Sequence, residues 1–219
     1  FVTFADGAAA VVLSRVETET PKGVLAICNY QDIQMVDFVG VDKYWNLYMD
    51  DSLIKDRAIE NIPAASNEVL EKSGWKIDDI DLCVPHQTGN AILIPASQAM
   101  GLKPDKLFLG AQHEYGNISG ATVPISFSML NQQQKLEPGM KIVCPMAGVG
   151  GNYGAFTYLV PDSGIKKSKL EYLFDGDLKG TTALVLGASG TLGHEIAIDL
   201  AKRGANLILH YNRNRQNLT

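Results

Sequence analysis

The stretch Leu82–Ser119, LCVPHQTGNAILIPASQAMGLKPDKLFLGAQHEYGNIS, holds the two residues around which the rest of the chain can be read, His86 and Asn117. His86 follows an apolar run that ends in Pro85 and opens a segment of helical character, while Asn117 sits between Gly116 and Ile118 just ahead of another. Both polar side chains therefore stand where a strand hands over to a helix, and side chains at such ends converge on one pocket in layered α/β sheets. Within the stretch, Ile80–Val84 reads as a buried strand and Gln87–Met100 as a helix closed by Gly101. Leu107–Leu109 reads as a short strand, and Ser119–Gln134 as a helix whose apolar positions include Val123, Phe127 and Leu130.

Upstream, Ala8–Leu13 and Gly23–Cys28 are short runs rich in Val, Ile and Ala, separated by the polar segment Ser14–Lys22 with a Pro-Lys-Gly turn, and read as neighbouring strands. Asp37–Asp51 carries Tyr44, Trp45, Tyr48 and Met49 without a period, which suits an irregular loop that covers a pocket. Ile54–Ser73 spaces Ile59, Ile62, Ala65, Val69 and Leu70 as an amphipathic helix ending at Gly74. Downstream, Lys141–Pro145 and Ala155–Val160 read as strands on either side of the glycine-rich turn Ala147–Gly154. This alternation predicts a layered α/β domain over residues 1–161.

A change of composition follows: residues 162–179 are polar with Lys166, Lys167 and Lys169 close together, the pattern of a solvated linker. Residues 180–219 then give strand, glycine turn, helix and second strand, TTALVLGASGTLGHEIAIDLAKRGANLILHYNRN, the size of the first βαβ unit of a Rossmann domain. Gly187, Gly190 and Gly193, with Ser189 in the same turn, would let the backbone approach a pyrophosphate at the start of the following helix. Where an acid would meet a ribose hydroxyl the chain has Tyr211, Asn212, Arg213 and Asn214. Arg213 paired with a 2′-phosphate favours NADP over NAD; the alternative is a solvated surface arginine.

The 219 residues are 46% hydrophobic and 20% charged with a net charge of −5, which describes a globular chain of one or two domains and argues against nucleic acid as a partner. No apolar run approaches the roughly 18 residues of a membrane span, and FVTFADGAAA has no cationic leader, so a cytoplasmic protein is expected. Cys28, Cys83 and Cys144 lie in apolar runs without metal-ligand spacing, as suits reduced buried thiols, and no metal site is expected. The chain starts with Phe and stops soon after a strand-like run, the reading expected of a piece of a longer protein.

Pro85–Leu93 (PHQTGNAIL), His113–Leu130 (HEYGNISGATVPISFSML) and Met146–Phe156 (MAGVGGNYGAF), in this order, resemble the C-terminal half of a β-ketoacyl-acyl-carrier-protein synthase III, of the thiolase fold; FADGAAAVVL at Phe4–Leu13 and Met49–Asp51 extend the likeness. The resemblance implies an enzyme of fatty acid or polyketide synthesis in which an acylated cysteine is attacked by the carbanion of a decarboxylating malonyl thioester. His86 and Asn117 would be the other two members of its triad, two uncharged donors to the thioester oxygen. A helix start at His86 would favour the neutral imidazole. The glycine turn would give a backbone N–H of Gly148 or Val149 to the oxyanion hole. The condensing part needs no cofactor; its partners would be acyl-CoA and malonyl thioesters, and the parent would be a homodimer.

Two departures bear on specificity. Ala91 stands where the family has an arginine that docks the acyl carrier protein, and Ala147 where an aromatic residue often precedes the turn, so the carrier contact is weakened and the pocket widened. The family's nucleophilic cysteine lies in the N-terminal half and is replaced by none of the three cysteines here, so this chain alone is expected to be inactive. Residues 179–219 resemble the opening of a short-chain dehydrogenase/reductase, the ketoacyl reductases in particular, with Thr191 at the place of the middle glycine. The same condensing fold would serve an acyltransferase to an alcohol or amine with His86 as base, or a non-catalytic partner half-domain.

Overall fold

In a computed structural model of the chain the described residues are 4–13, 17, 19–44, 46–162, 178–189 and 191–210. Trp45, most of the expected linker, Gly190 and Arg213 lie outside them. The centre is the pair β6 (Lys141–Ala147) and β7 (Asn152–Leu159), whose apolar residues alternate between two cores. Val143 and Ala155 face one core, while Ile142, Cys144 and Val160 face the other, as the two-residue period of a strand requires. β2 (Gly23–Gln31) lies antiparallel to β7, and β5 (Leu82–Cys83) parallel to β6, giving a mixed sheet of order β2-β7-β6-β5.

One face of that sheet is covered by α1 (Asp51–Lys72), which presents Ala58, Ile62, Ala65 and Val69 to the first core. These positions fall on one helical stripe. Its start is capped by the Asp50 carboxylate, which accepts from Leu53 N–H, and it stops at Gly74, whose φ of +69° only glycine adopts without strain. α2 (Asn90–Ala99) adds Leu93 and Ala96 to the same core. The opposite face is covered by α4 (Thr122–Gln132) through Val123 and Leu130. The tail contributes β8 (Thr182–Leu186), α5 (Thr191–Lys202) and β9 (Asn206–His210), with β8 and β9 parallel across the helix and a smaller core of Ala183, Val185, Ala188, Ala197 and Leu200.

Several expectations are corrected. Residues 9–13 form β1, yet β1 does not pair with β2; it runs antiparallel to β8, so the tail sheet has the order β1-β8-β9 and draws in an N-terminal strand. β2 pairs with β7 alone, in a ladder from Gly23↔Leu159 to Gln31↔Asn152, and is an edge strand of its sheet. The expected loop 37–51 contains a hairpin of β3 (Val39–Val41) and β4 (Leu47–Met49). Leu107 makes only an isolated bridge to Cys83, because Gly110 begins the short helix α3 (Gly110–Tyr115), which the sequence pattern did not show. The helix after His86 starts at Asn90, since Gly89 with φ +119° keeps the chain extended.

Candidate active site

β5 continues beyond its two paired residues as an extended ladder: Val84 N–H donates to Val143 O and His86 N–H to Pro145 O, both at 2.9 Å. The strand register of β6 thereby sets where His86 stands. The next residue, Gln87, is fully buried and ties three elements together, donating to Phe108 O at 3.2 Å and Ser126 Oγ at 3.3 Å while its Oε1 accepts from Gln112 N–H. Such a satisfied buried amide fixes the backbone on which its neighbour sits.

Asn117 is presented by a turn rather than a helix. Gly116 has φ +75° and Ser119, a non-glycine, φ +52°, and the Asn117 Oδ1 accepts from Ser119 N–H at 2.9 Å. That bond uses the carbonyl end of the amide, so the Nδ2 donors are the end left for a substrate. Asn117 O also accepts from Ala5 N–H at 2.9 Å, which clips the N-terminal segment against the site.

Between β6 and β7 the turn Gly148–Gly151 closes the same wall. Gly148 N–H donates to Asn152 O at 2.7 Å, so of the two backbone donors expected here that of Gly148 is taken. The turn is clamped from outside: Asp32 N–H donates to Gly151 O at 2.8 Å and Gln31 Nε2 to Gly150 O at 3.1 Å. A Cβ at Gly151 would lie 2.1 Å from Asp32 O, so this approach demands glycine. Asp32 is itself gripped by α1, accepting from Arg57 Nε at 2.9 Å and lying 2.7 Å from Arg57 Nη2. Desolvation pushes the Asp32 carboxyl up, but the Gln34 N–H, Asn61 and the Arg57 charge outweigh it and leave it below the ordinary carboxylate value.

His86, Asn117, Gly148 and Ala91 line one cavity of about 410 Å³, whose walls are otherwise mostly apolar and include Val39 and Met49 of the β3–β4 hairpin. The loop expected to cover a pocket does so as a hairpin. Ala91 and Ala147 both border the cavity, leaving the space that an arginine and an aromatic ring would fill. Among the described lining residues Lys55 is the only charged one. Burial holds the His86 imidazole down at about 4, so it is neutral at pH 7; the helix start expected to do this lies four residues away at Asn90, and desolvation is the cause. His86 Nδ1 is 3.2 Å from Thr122 Oγ1, a contact without a sequence signal, since Ser-Gly-Ala-Thr reads only as a helix start.

Cys28, Cys83 and Cys144 are buried free thiols, and burial raises the pKa of each, Cys83 to about 12. None of them lines the cavity. In the tail, Gly187 has φ +75°, and a Cβ at Gly193 would lie 2.2 Å from Gly187 O, so the first turn of α5 packs directly on the glycine turn. Ser189 belongs to that turn. Among the described residues no helix is long and apolar enough to cross a membrane.

The site is thus built on a mixed sheet with helices on both faces, with polar residues converging from strand ends and turns. In a comparison of folds the chain superposes on 3-oxoacyl-(acyl carrier protein) synthase III from Pseudomonas aeruginosa with a TM-score of 0.62 at 23% identity, covering 67% of this chain and 47% of that one. Residues 70–159 match the family profile described as 3-Oxoacyl-[acyl-carrier-protein (ACP)] synthase III C terminal. The chain is 34% identical to β-ketoacyl-[acyl-carrier-protein] synthase III 2 of Vibrio cholerae and 31% identical to the synthase III of a Ruegeria species, covering 70% of this chain in both cases and 45% and 50% of the relatives. Over residues 70–159 the chain is similar to the C-terminal domain of the β-ketoacyl synthases III, and its fold is similar to theirs. The chain spans about half the length of the curated relatives it matches.

Proposed function

We propose that the chain is the C-terminal half of a condensing enzyme that joins an acyl thioester to a malonyl thioester by decarboxylative Claisen condensation in fatty acid or polyketide synthesis, followed by the start of an NADP-dependent ketoacyl reductase. The observation that carries the reading is the convergence of His86, Asn117 and the glycine turn on one mostly apolar cavity. The names of the relatives, β-ketoacyl-acyl-carrier-protein synthases, support it. The Asn117 Nδ2 and the Val149 N–H act as donors to the thioester oxygen, where negative charge builds up. The nucleophilic cysteine belongs to the other half, because the three cysteines here are buried with raised pKa values.

The division into residues 1–161, a linker over 162–179 and a reductase start at 180 is part of the same proposal. Gly187 and Gly193, at the glycine turn and the start of α5, would let the backbone approach a dinucleotide pyrophosphate, and Arg213 would take the 2′-phosphate. NADP would supply the hydride for reducing the β-keto product that the first half makes. Acyl-CoA is the favoured acyl donor, since Ala91 offers a carrier protein no cation. The test is a malonyl-decarboxylation and condensation assay on the protein that includes the sequence preceding Phe1. Activity lost in His86→Ala and Asn117→Ala is expected; an active double variant would end the reading, and so would an upstream sequence without a cysteine nucleophile.

A further inference from the structure

A second cavity, of about 280 Å³, lies beside the first, and His86, Ser119, Ala147, Gly148, Asn152 and Tyr153 line both. At these positions the two spaces are a single residue apart, and the small side chains of Ser119, Ala147 and Gly148 keep that wall thin. The second cavity also reaches the tail, because His210, the last residue of β9, lines it. Ala188 N–H donates to His210 O at 2.9 Å, which holds the end of β9 beside the glycine turn after β8. Gly120, another lining residue, stands so near the end of β8 that a Cβ on it would lie 4.0 Å from Leu186 Cδ1. The cavity therefore meets the carboxyl ends of the parallel strands β8 and β9, the place where open α/β sheets bind their ligands. The N-terminal segment ties the two regions at this point. Ala5 N–H donates to Asn117 O and Ala9 pairs with Leu186, and the chain from Ala5 to Ala9 spans at most about 14 Å.

We propose that this second cavity receives the β-ketoacyl thioester made at the first and passes it to the tail, so that the two sites work as one compartment. This rests on the condensing and reductase readings given above and adds the route between them. No bond is made or broken on the way; only the ligand moves. The lining favours this ligand. Among its described residues none is Asp, Glu, Lys or Arg, which suits an uncharged β-keto group and not the phosphates of a coenzyme. The keto and thioester oxygens accept hydrogen bonds, and Asn29, Ser119 and Asn152 supply donor groups beside the apolar Val123 and Met146. The volume falls just under the roughly 300–1,000 Å³ of small-molecule sites, room for the β-keto end with a short chain and too little for a whole dinucleotide. Ala147 borders both spaces, and its single methyl leaves open between them what an aromatic ring would close.

The experiment is an isotope-dilution assay on the protein that includes the sequence before Phe1 and after Thr219. It receives NADPH, an acyl-CoA that turns over in the condensation assay, radiolabelled malonyl thioester and an excess of the unlabelled β-ketoacyl thioester of the same chain length. A product handed over inside the protein is reduced before it mixes with the pool, so the reduced product should keep the specific radioactivity of the malonyl thioester. His210→Trp fills the tail side of the second cavity and should dilute the label by about tenfold or more, since the ligand then has to pass through bulk solvent. Condensation, whose cavity His210 does not line, should run at the wild-type rate in this variant. Asn29→Trp narrows the same cavity from β2 and should give the same dilution if His210→Trp does not fold. Full dilution in the wild type overturns the proposal and leaves both activities standing, and label retained in both variants overturns the route through this cavity. No labelled condensation product sinks the condensing reading, and no reduction of the added β-ketoacyl thioester sinks the reductase reading; the passage falls with either.

Discussion

The sheet of residues 23–160 and the tail of residues 178–210 both end strands in glycine turns, but they support those turns in opposite ways. In the first, Asp32, His86, Asn117, Thr122 and Gly148–Gly151 come from segments far apart in the chain and are held by hydrogen bonds and an ion pair. In the tail, Gly187 and Ser189 lie in one turn and Gly193 in the helix that follows it, and the supporting core includes five small or medium side chains. A site of the first kind fails when any of its distant supports is removed. One of the second kind fails only through its own backbone.

The widest gap between the regions should appear in catalysis. In the protein carrying the preceding half, Asn117→Ala should reduce the kcat of the proposed condensation about 10²–10³-fold while leaving the proposed NADP affinity of the tail unchanged, measured by condensation assay and cofactor titration. A parallel loss of NADP binding would show that the two regions are one unit. Next come the glycines. Gly151→Ala places a side chain at φ +71° and against Asp32 O, and should cost the first region about 2–4 kcal/mol. Gly193→Ala meets Gly187 O instead, and should cost the tail about 1–3 kcal/mol. Hydrogen exchange followed region by region distinguishes two local effects from a single shared transition, and the shared transition would break the comparison.

Protonation sharpens it further. The folded His86 titrates near 4 against an ordinary 6.5, so below pH 6.5 the unfolded state takes up a proton that the folded state does not. Stability is full above pH 6.5 and falls as the pH drops toward 4, by up to about 3 kcal/mol. Denaturant unfolding at pH 7 and pH 5 should show this loss in the first region, and His86→Gln should flatten it. The smallest effect is expected from Arg57→Met. The Asp32 carboxyl is depressed in the fold, so its contribution is present above the unfolded carboxylate value and lost as the pH falls through the folded one. The variant should therefore differ from wild type at pH 7 and converge with it in acid. A difference that persists in acid would mean that Arg57 acts by packing alone.

His86 and Asn117 were legible because each stands at a break between an apolar run and a helical pattern, and the cavity does bring both to its wall. The helix α1 and the strands β6 and β7 were legible for the same reason, since a period of 3.6 or 2 survives in a one-dimensional string. The partner of β1 was not, because strand pairing depends on which edge can offer a matching ladder, and local composition does not record that. Nor was the cause of the neutral His86: a dipole argument needed a helix at residue 86, and Gly89 delays it to Asn90.

By itself the sequence determined the alternation of strands and helices, the two polar residues at strand ends and the required glycines Gly150, Gly151 and Gly187. These are local properties, set by side-chain periodicity and by which residues tolerate positive φ. Only the tertiary structure decided that Thr122 meets His86, that Asp32 and Arg57 clamp the glycine turn, that Gly148 N–H is already bonded and that β1 joins the tail sheet. Each of these joins groups distant in sequence, and the direction of a hydrogen bond between them exists only once packing has fixed both ends.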